Sequence, residues 1–130
     1  MNEIVLEWIR KAETDLRVAK ELLELNEENW VIAYHLEQAA EKYLKAFLVA
    51  KKRKFMKTHD IKELLELCIQ EDKEFEKLKE LEIEYLKEYS SNIRYPYFYE
   101  PEREEVLESL EKVEKVREFV LKKLNIKTEK

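Results

Sequence analysis

The sequence predicts an all-α protein, an up-and-down bundle of about five helices with a core like that of a four-helix bundle. Three observations carry that class. The chain has no Gly and only two Pro, so material for tight turns and hairpins is scarce. Apolar residues recur at i, i+3 and i+4 through most of the chain. One stretch, within Trp30 to Lys51, is apolar over an arc too wide for a single contact and reads as the hub. The length, 130 residues, fits one domain with a real core. The bundle is expected over 1–125, with 126–130 as a frayed tail.

Asn2 is placed to cap the first helix. Ile4, Val5, Trp8, Ile9, Ala12, Leu16, Ala19, Leu22 and Leu23 then keep helical rhythm for about six turns. Asn26 and Asn29 mark a short break, with Asn29 as a cap for the second helix. In that helix Ala39, Ala40, Tyr43, Leu44, Ala46, Phe47 and Leu48 form the wide apolar arc. Glu37, Glu41 and Lys45 share one line, and Glu41 and Lys45 are expected to pair along the surface. So short a loop makes helices one and two antiparallel neighbours.

The third helix is expected over Ile61 to Gln70, with Leu64, Leu65 and Cys68 inward. Asp60 and Glu63 have capping-box spacing. A fourth begins near Asp72 and carries a stripe of Phe75, Leu78, Leu81, Tyr85, Leu86 and Tyr89. A loop from Ser90 to Pro101 follows, because Pro96 disfavours helix at the residue before it. Pro101 suits the first position of the last helix, with Glu102, Glu104 and Glu105 in its positive first turn. Val106, Leu110, Val113, Val116, Val120 and Leu124 complete that helix.

Charged residues make up 42% of the chain, mostly Glu and Lys. That suits solvated helix faces and a thermophilic source. A net charge of −5 argues against bulk, non-specific nucleic-acid binding, which needs a basic field, but leaves room for a local patch. The single Cys, Cys68, reads as a small buried hydrophobe and allows no disulfide within the chain. No stretch reaches membrane-spanning length and the N-terminus has no signal pattern, so a cytoplasmic protein is expected.

The two histidines, His35 and His59, lack a Glu three residues earlier, and one Cys with two His cannot complete a zinc set. No metal and no cofactor is therefore expected. Without Gly there is no nucleophile elbow, phosphate loop or dinucleotide fingerprint.

Two local features carry chemistry. Lys51, Lys52, Arg53, Lys54 and Lys57 put five basic residues in seven positions, just before His59. The cluster is either a phosphate site or a set of solvated cations complementing the end of helix two. Arg94 stands among Tyr89, Tyr95, Tyr97 and Tyr99. Rings beside a guanidinium can stack bases while the Arg holds a phosphate, or the rings can seal the end of the bundle.

These segments, in this order, resemble the HEPN domain (higher eukaryotes and prokaryotes nucleotide-binding). Trp8, Ala12, Asp15-Leu16 and Ala19 are similar to that family's opening helix. His35 to Ala46, with its Gln-Ala-Ala-Glu-Lys core and Lys-Ala pair, is similar to the second. Lys57-Thr58-His59-Asp60-Ile61 with Leu64-Leu65 is similar to the start of the third, and Arg94-Tyr95-Pro96 to a late element. The resemblance implies a compact bundle, usually a homodimer, often partnered by a small MNT-type nucleotidyltransferase encoded alongside. It implies nucleotide binding, toxin-antitoxin roles or metal-independent RNA cleavage. The family's nucleases carry Arg, four to six residues, then His, late in the chain.

This sequence departs from that motif. Arg94 is followed five residues later by Tyr99, and no His follows His59. An unperturbed phenol, with a pKa of about 10, is a poor base at neutral pH. Arg53 and His59 match the spacing as a string but stand between helices two and three. The favoured expectation is a module binding a nucleotide or RNA phosphate through Arg94, Tyr95, Tyr97 and the basic run. The alternatives are a metal-independent ribonuclease toxin using Arg94 with Tyr99 or His59, and a helical assembly module without ligand.

Overall fold

The computed structural model describes residues 2–54, 57–83 and 100–127. Within them the chain forms α1 (Glu3–Glu24), α2 (Asn29–Ala50), α3 (Ile61–Glu71), a 3-10 helix (Lys73–Leu81) and α4 (Arg103–Lys123). No strand occurs among the described residues. The all-α bundle is the fold.

Asn2 caps α1 as expected, its side chain accepting from the Ile4 amide at 2.7 Å. One stripe of α1 is buried: Val5, Ile9, Ala12, Leu16 and Ala19. The helix stops at Asn26, whose φ is 57°. There Asn26 N donates to Leu23 O and Glu27 N to Leu22 O, which pairs two carbonyls the last turn would leave orphaned. The same closure ends α2, with Lys52 at φ 57°, and α4, with Asn125 at φ 58°. Asn accepts that left-handed conformation readily; Lys does so at a steric cost. The α4 cap takes in Ile126, one residue past the expected end of the bundle, and Ile126 packs against the core.

Helix α2 is the hub, touching α1, α3 and α4. Contacts fix the directions. Lys45 meets Trp8 while His35 meets Asp15, so α1 and α2 run antiparallel. Glu13 meets Arg117 while the Glu27 carbonyl meets Arg103, so α1 and α4 are antiparallel too. Ahead of α3, His59 lies back along α2 at Glu41. At the far end of α2, Phe47, Phe75 and Phe119 pack in series, first tilted and then edge-to-face, with centroids 4.3 and 4.8 Å apart. Fully burying a ring such as Phe47 or Phe75 stabilises the fold by about 1.5–3 kcal/mol.

Several local expectations are corrected. Asn29 does not cap α2. It is the first residue of the helix, and its side-chain amide donates to the Pro101 carbonyl at 3.1 Å, tying α2 to the segment ahead of α4. Pro101 accordingly lies two residues before α4 rather than at its first position. Asp60 caps α3 by accepting from Lys62 N at 3.0 Å, but Glu63 does not return to the Asp60 amide. Thr58 intervenes, accepting from Asp60 N and donating to Glu63.

The described part of the expected fourth helix, Lys73–Leu81, is a 3-10 helix rather than an α-helix. Its apolar residues Phe75, Leu78 and Leu81 fall every third position, which aligns them at three residues per turn. It ends at Glu82, with φ 57°. Lys123 locks its start to the end of α4 by reaching Asp72 at 2.8 Å and also Glu74. Tyr85, Leu86 and Tyr89 lie outside the described residues.

Candidate functional site

Charged side chains occupy the interior of the hub. Glu37, Glu41 and Lys45 follow one another along α2 at successive turns, and all three are buried. The expected surface pairing of Glu41 with Lys45 is therefore overturned. The ion pair exists, at 3.0 Å between Lys45 Nζ and Glu41 Oε2, but its side chains are only 5% and 3% exposed. A helix with neighbours on three sides has no wide solvent face, so even its polar line is enclosed. Lys45 also sits over the Trp8 ring, 5.3 Å from the centroid, a contact that stabilises a cation.

The same Glu41 Oε2 is 2.9 Å from His59 Nδ1. Here the burial is lopsided: the His59 side chain is 75% exposed. An ionised carboxylate only accepts, so Nδ1 carries the proton and Nε2 is the nitrogen directed away from Glu41. Glu41 Oε1 is buried with no hydrogen-bond partner among the described residues.

The basic run divides. Arg53 folds back on the end of α3, with Nη1 2.9 Å from Glu71 Oε2 and Nη2 2.6 Å from Gln70 Oε1. Lys51 leans over the Phe47 ring at 5.5 Å. Lys52, Lys54 and Lys57 are exposed. Arg53 and His59, which match the nuclease spacing as a string, are held by different partners, one at the end of α3 and one at the middle of α2. Arg94, Tyr95, Tyr97 and Tyr99 lie outside the described residues.

Two further polar clusters tie the helices. Asp15 receives His35 Nδ1 at 3.0 Å and Lys42 Nζ at 2.5 Å. Burial pushes its carboxyl up, but the bonds from His35 and Lys42 outweigh that and leave it below its ordinary value. Glu13 is governed the same way: burial raises it, and the bonds from Arg117 and Tyr43 bring it below the usual carboxylate range. Burial, followed by the bond to Glu13, pushes the Tyr43 phenol up. Cys68 lies in the core, its thiol also pushed up by burial, and donates to the Leu44 carbonyl at 3.7 Å. Such a thiol is inert.

Among the described residues, no group of three or more His, Cys, Asp or Glu is placed to hold a metal ion, and no helix is long and apolar enough to cross a membrane. The site residue that sequence reading left on the surface is Glu41. The available signal was the hub itself: charges four apart on a helix too apolar to have an outer face.

No curated protein and no solved structure matches the chain. The HEPN domain model matches residues 5–124. That span takes in all of α2, α3, the 3-10 helix and α4, α1 from Val5 on, and His59. The chain belongs to the HEPN domain family, and membership supports a nucleotide- or RNA-related role.

Proposed function

We propose that this chain is the nucleotide- or RNA-phosphate-binding component of a two-gene, toxin-antitoxin-like system. In this reading it works in the cytoplasm as a homodimer with an MNT-type nucleotidyltransferase as partner. The observation that carries it is the exposed His59 ring, hydrogen-bonded to the buried Glu41 carboxylate and preceded in the same connection by exposed Lys52, Lys54 and Lys57. Cations on an otherwise acidic protein make a selective phosphate site rather than a general one. From the sequence, Arg94 adds a fork for phosphate oxygens, and Tyr95 and Tyr97 add faces for bases.

The test is RNA incubated in chelator with wild type and Arg94→Ala, beside thermal melts with nucleotide. No cleavage, with a nucleotide-dependent rise in Tm that vanishes in Arg94→Ala, is the expected result. A Tm indifferent to nucleotide and RNA leaves only the helical assembly role. Light scattering checks the dimer. Co-expression with a neighbouring nucleotidyltransferase gene checks the partner through copurification and reversal of growth arrest.

One observation favours a second reading, a metal-independent ribonuclease toxin. Tyr99 stands where the family's nuclease motif has His, but His59 has an oriented ring with an outward nitrogen, the arrangement a general acid or base needs. Cleavage in chelator, lost in Arg94→Ala or His59→Ala, would select it.

A further inference from the structure

The Glu41 cluster is poorly explained by stability alone. Burying a carboxylate costs several kcal/mol unless well paired. Lys45 already supplies the counter-charge, and the His59 ring stays largely in solvent, so its bond to Glu41 buries almost nothing. The second carboxylate oxygen, Oε1, is buried without a donor among the described residues. The arrangement does achieve one thing: it fixes Nδ1–H inward and leaves Nε2 facing out. The other histidine makes the contrast. His35 is bonded to an Asp15 that Lys42 also holds, and its side chain is 26% exposed, so that cluster is an internal tie between α1 and α2.

We propose that Glu41 is a positioning residue for His59, and that His59, carrying a proton on both ring nitrogens when bound, donates from Nε2–H to a phosphate oxygen of single-stranded RNA. The proposal rests on the phosphate-binding reading above and names its ligand and the residue behind the contact. Buried Glu41 acts from inside α2, holding the ring in one tautomer and one orientation, as carboxylates do behind functional histidines. The choice of RNA over a free nucleotide follows from the spread of charge. Exposed Lys52, Lys54 and Lys57 precede His59 in the connection between α2 and α3, a spread of basic groups suited to a chain of phosphates rather than to one.

The experiment is a fluorescence-anisotropy titration of a short fluorescent RNA, with competition by AMP and by inorganic phosphate. It uses the whole chain as wild type, Glu41→Gln, His59→Ala and the double variant. Imidazole 15N spectra without ligand are recorded alongside. Each single change is expected to weaken RNA binding about tenfold, the loss expected for one charge-assisted hydrogen bond. The double variant should lose no more than His59→Ala, and Glu41→Gln should release His59 from its Nδ1–H tautomer.

RNA binding that survives His59→Ala unchanged overturns the proposal and leaves the phosphate-binding reading standing. So does an unaltered His59 tautomer in Glu41→Gln. AMP or phosphate competing as well as RNA overturns the choice of RNA. A wild type that binds none of these probes brings down the broader reading as well. Where Glu41→Gln fails to fold, the exposed His59→Ala decides the phosphate contact, and Glu41→Asp, which should retain the tautomer, decides the positioning.

Discussion

Lys45 carries the sharpest energetic consequence of any single side chain here. It is the buried counter-ion of Glu41. Lys45→Met should destabilise the protein by about 3 kcal/mol in denaturant titration, because it strands a carboxylate in the interior. Adding Glu41→Leu should restore most of that loss, since a buried pair replaced by apolar groups is often neutral. A mild single variant would mean that water reaches Glu41.

Glu13 and Asp15 act at the same scale through pH. Both carboxyls sit below their ordinary values in the folded state. A depressed carboxylate contributes stability that is complete above its unfolded value, about 4, and is lost as pH falls through the lower folded value. The fold should therefore weaken below about pH 4. Glu13→Gln should be less stable than wild type at neutral pH and show a shallower acid loss, read from melts across the acid range.

At the level of elements, the helix ends are the instructive case. Helix positions and inward faces were legible because periodicity and burial describe the same stripe: Val5, Ile9, Ala12, Leu16 and Ala19 on α1, Leu64, Leu65 and Cys68 on α3. The stops were less legible, because a left-handed residue is normally signalled by Gly and this chain has none. Asn26, Lys52, Glu82 and Asn125 fill those positions instead. Lys52→Gly should stabilise the protein by about 1 kcal/mol, relieving the steric penalty of a left-handed Lys, as measured by urea unfolding. The 3-10 helix was hidden for a related reason: three inward residues spaced by three satisfy an α-helical stripe and a 3-10 one alike.

Across the whole molecule, the fold class followed from composition and period, because a glycine-free, charge-rich chain has few ways to fold except as packed helices. The site was legible only in part. The basic run is a visible string, yet the fold spends Arg53 on Glu71 and Gln70 and leaves Lys52, Lys54 and Lys57 outward. Glu41 was legible only indirectly, through the width of the hub's apolar arc, since its burial depends on three neighbours. Three exposed lysines also set a scale for the proposed RNA contact. If each neutralises one phosphate of a single strand, log K should fall against log salt with a slope of about −2. A flat salt response would remove the lysines from the contact.

The pairing of Glu13 with Arg117, 104 residues apart, has a consequence for how the protein is made. The earliest helix waits for the latest. While the chain is still threaded through a ribosome, α1 and α2 can close on each other, yet the flank of α2 that receives Val113, Val116 and Val120 stays bare until α4 emerges. A message cut short before Arg103 should yield a sticky intermediate, one that chaperones hold or proteases clear, rather than a smaller working bundle.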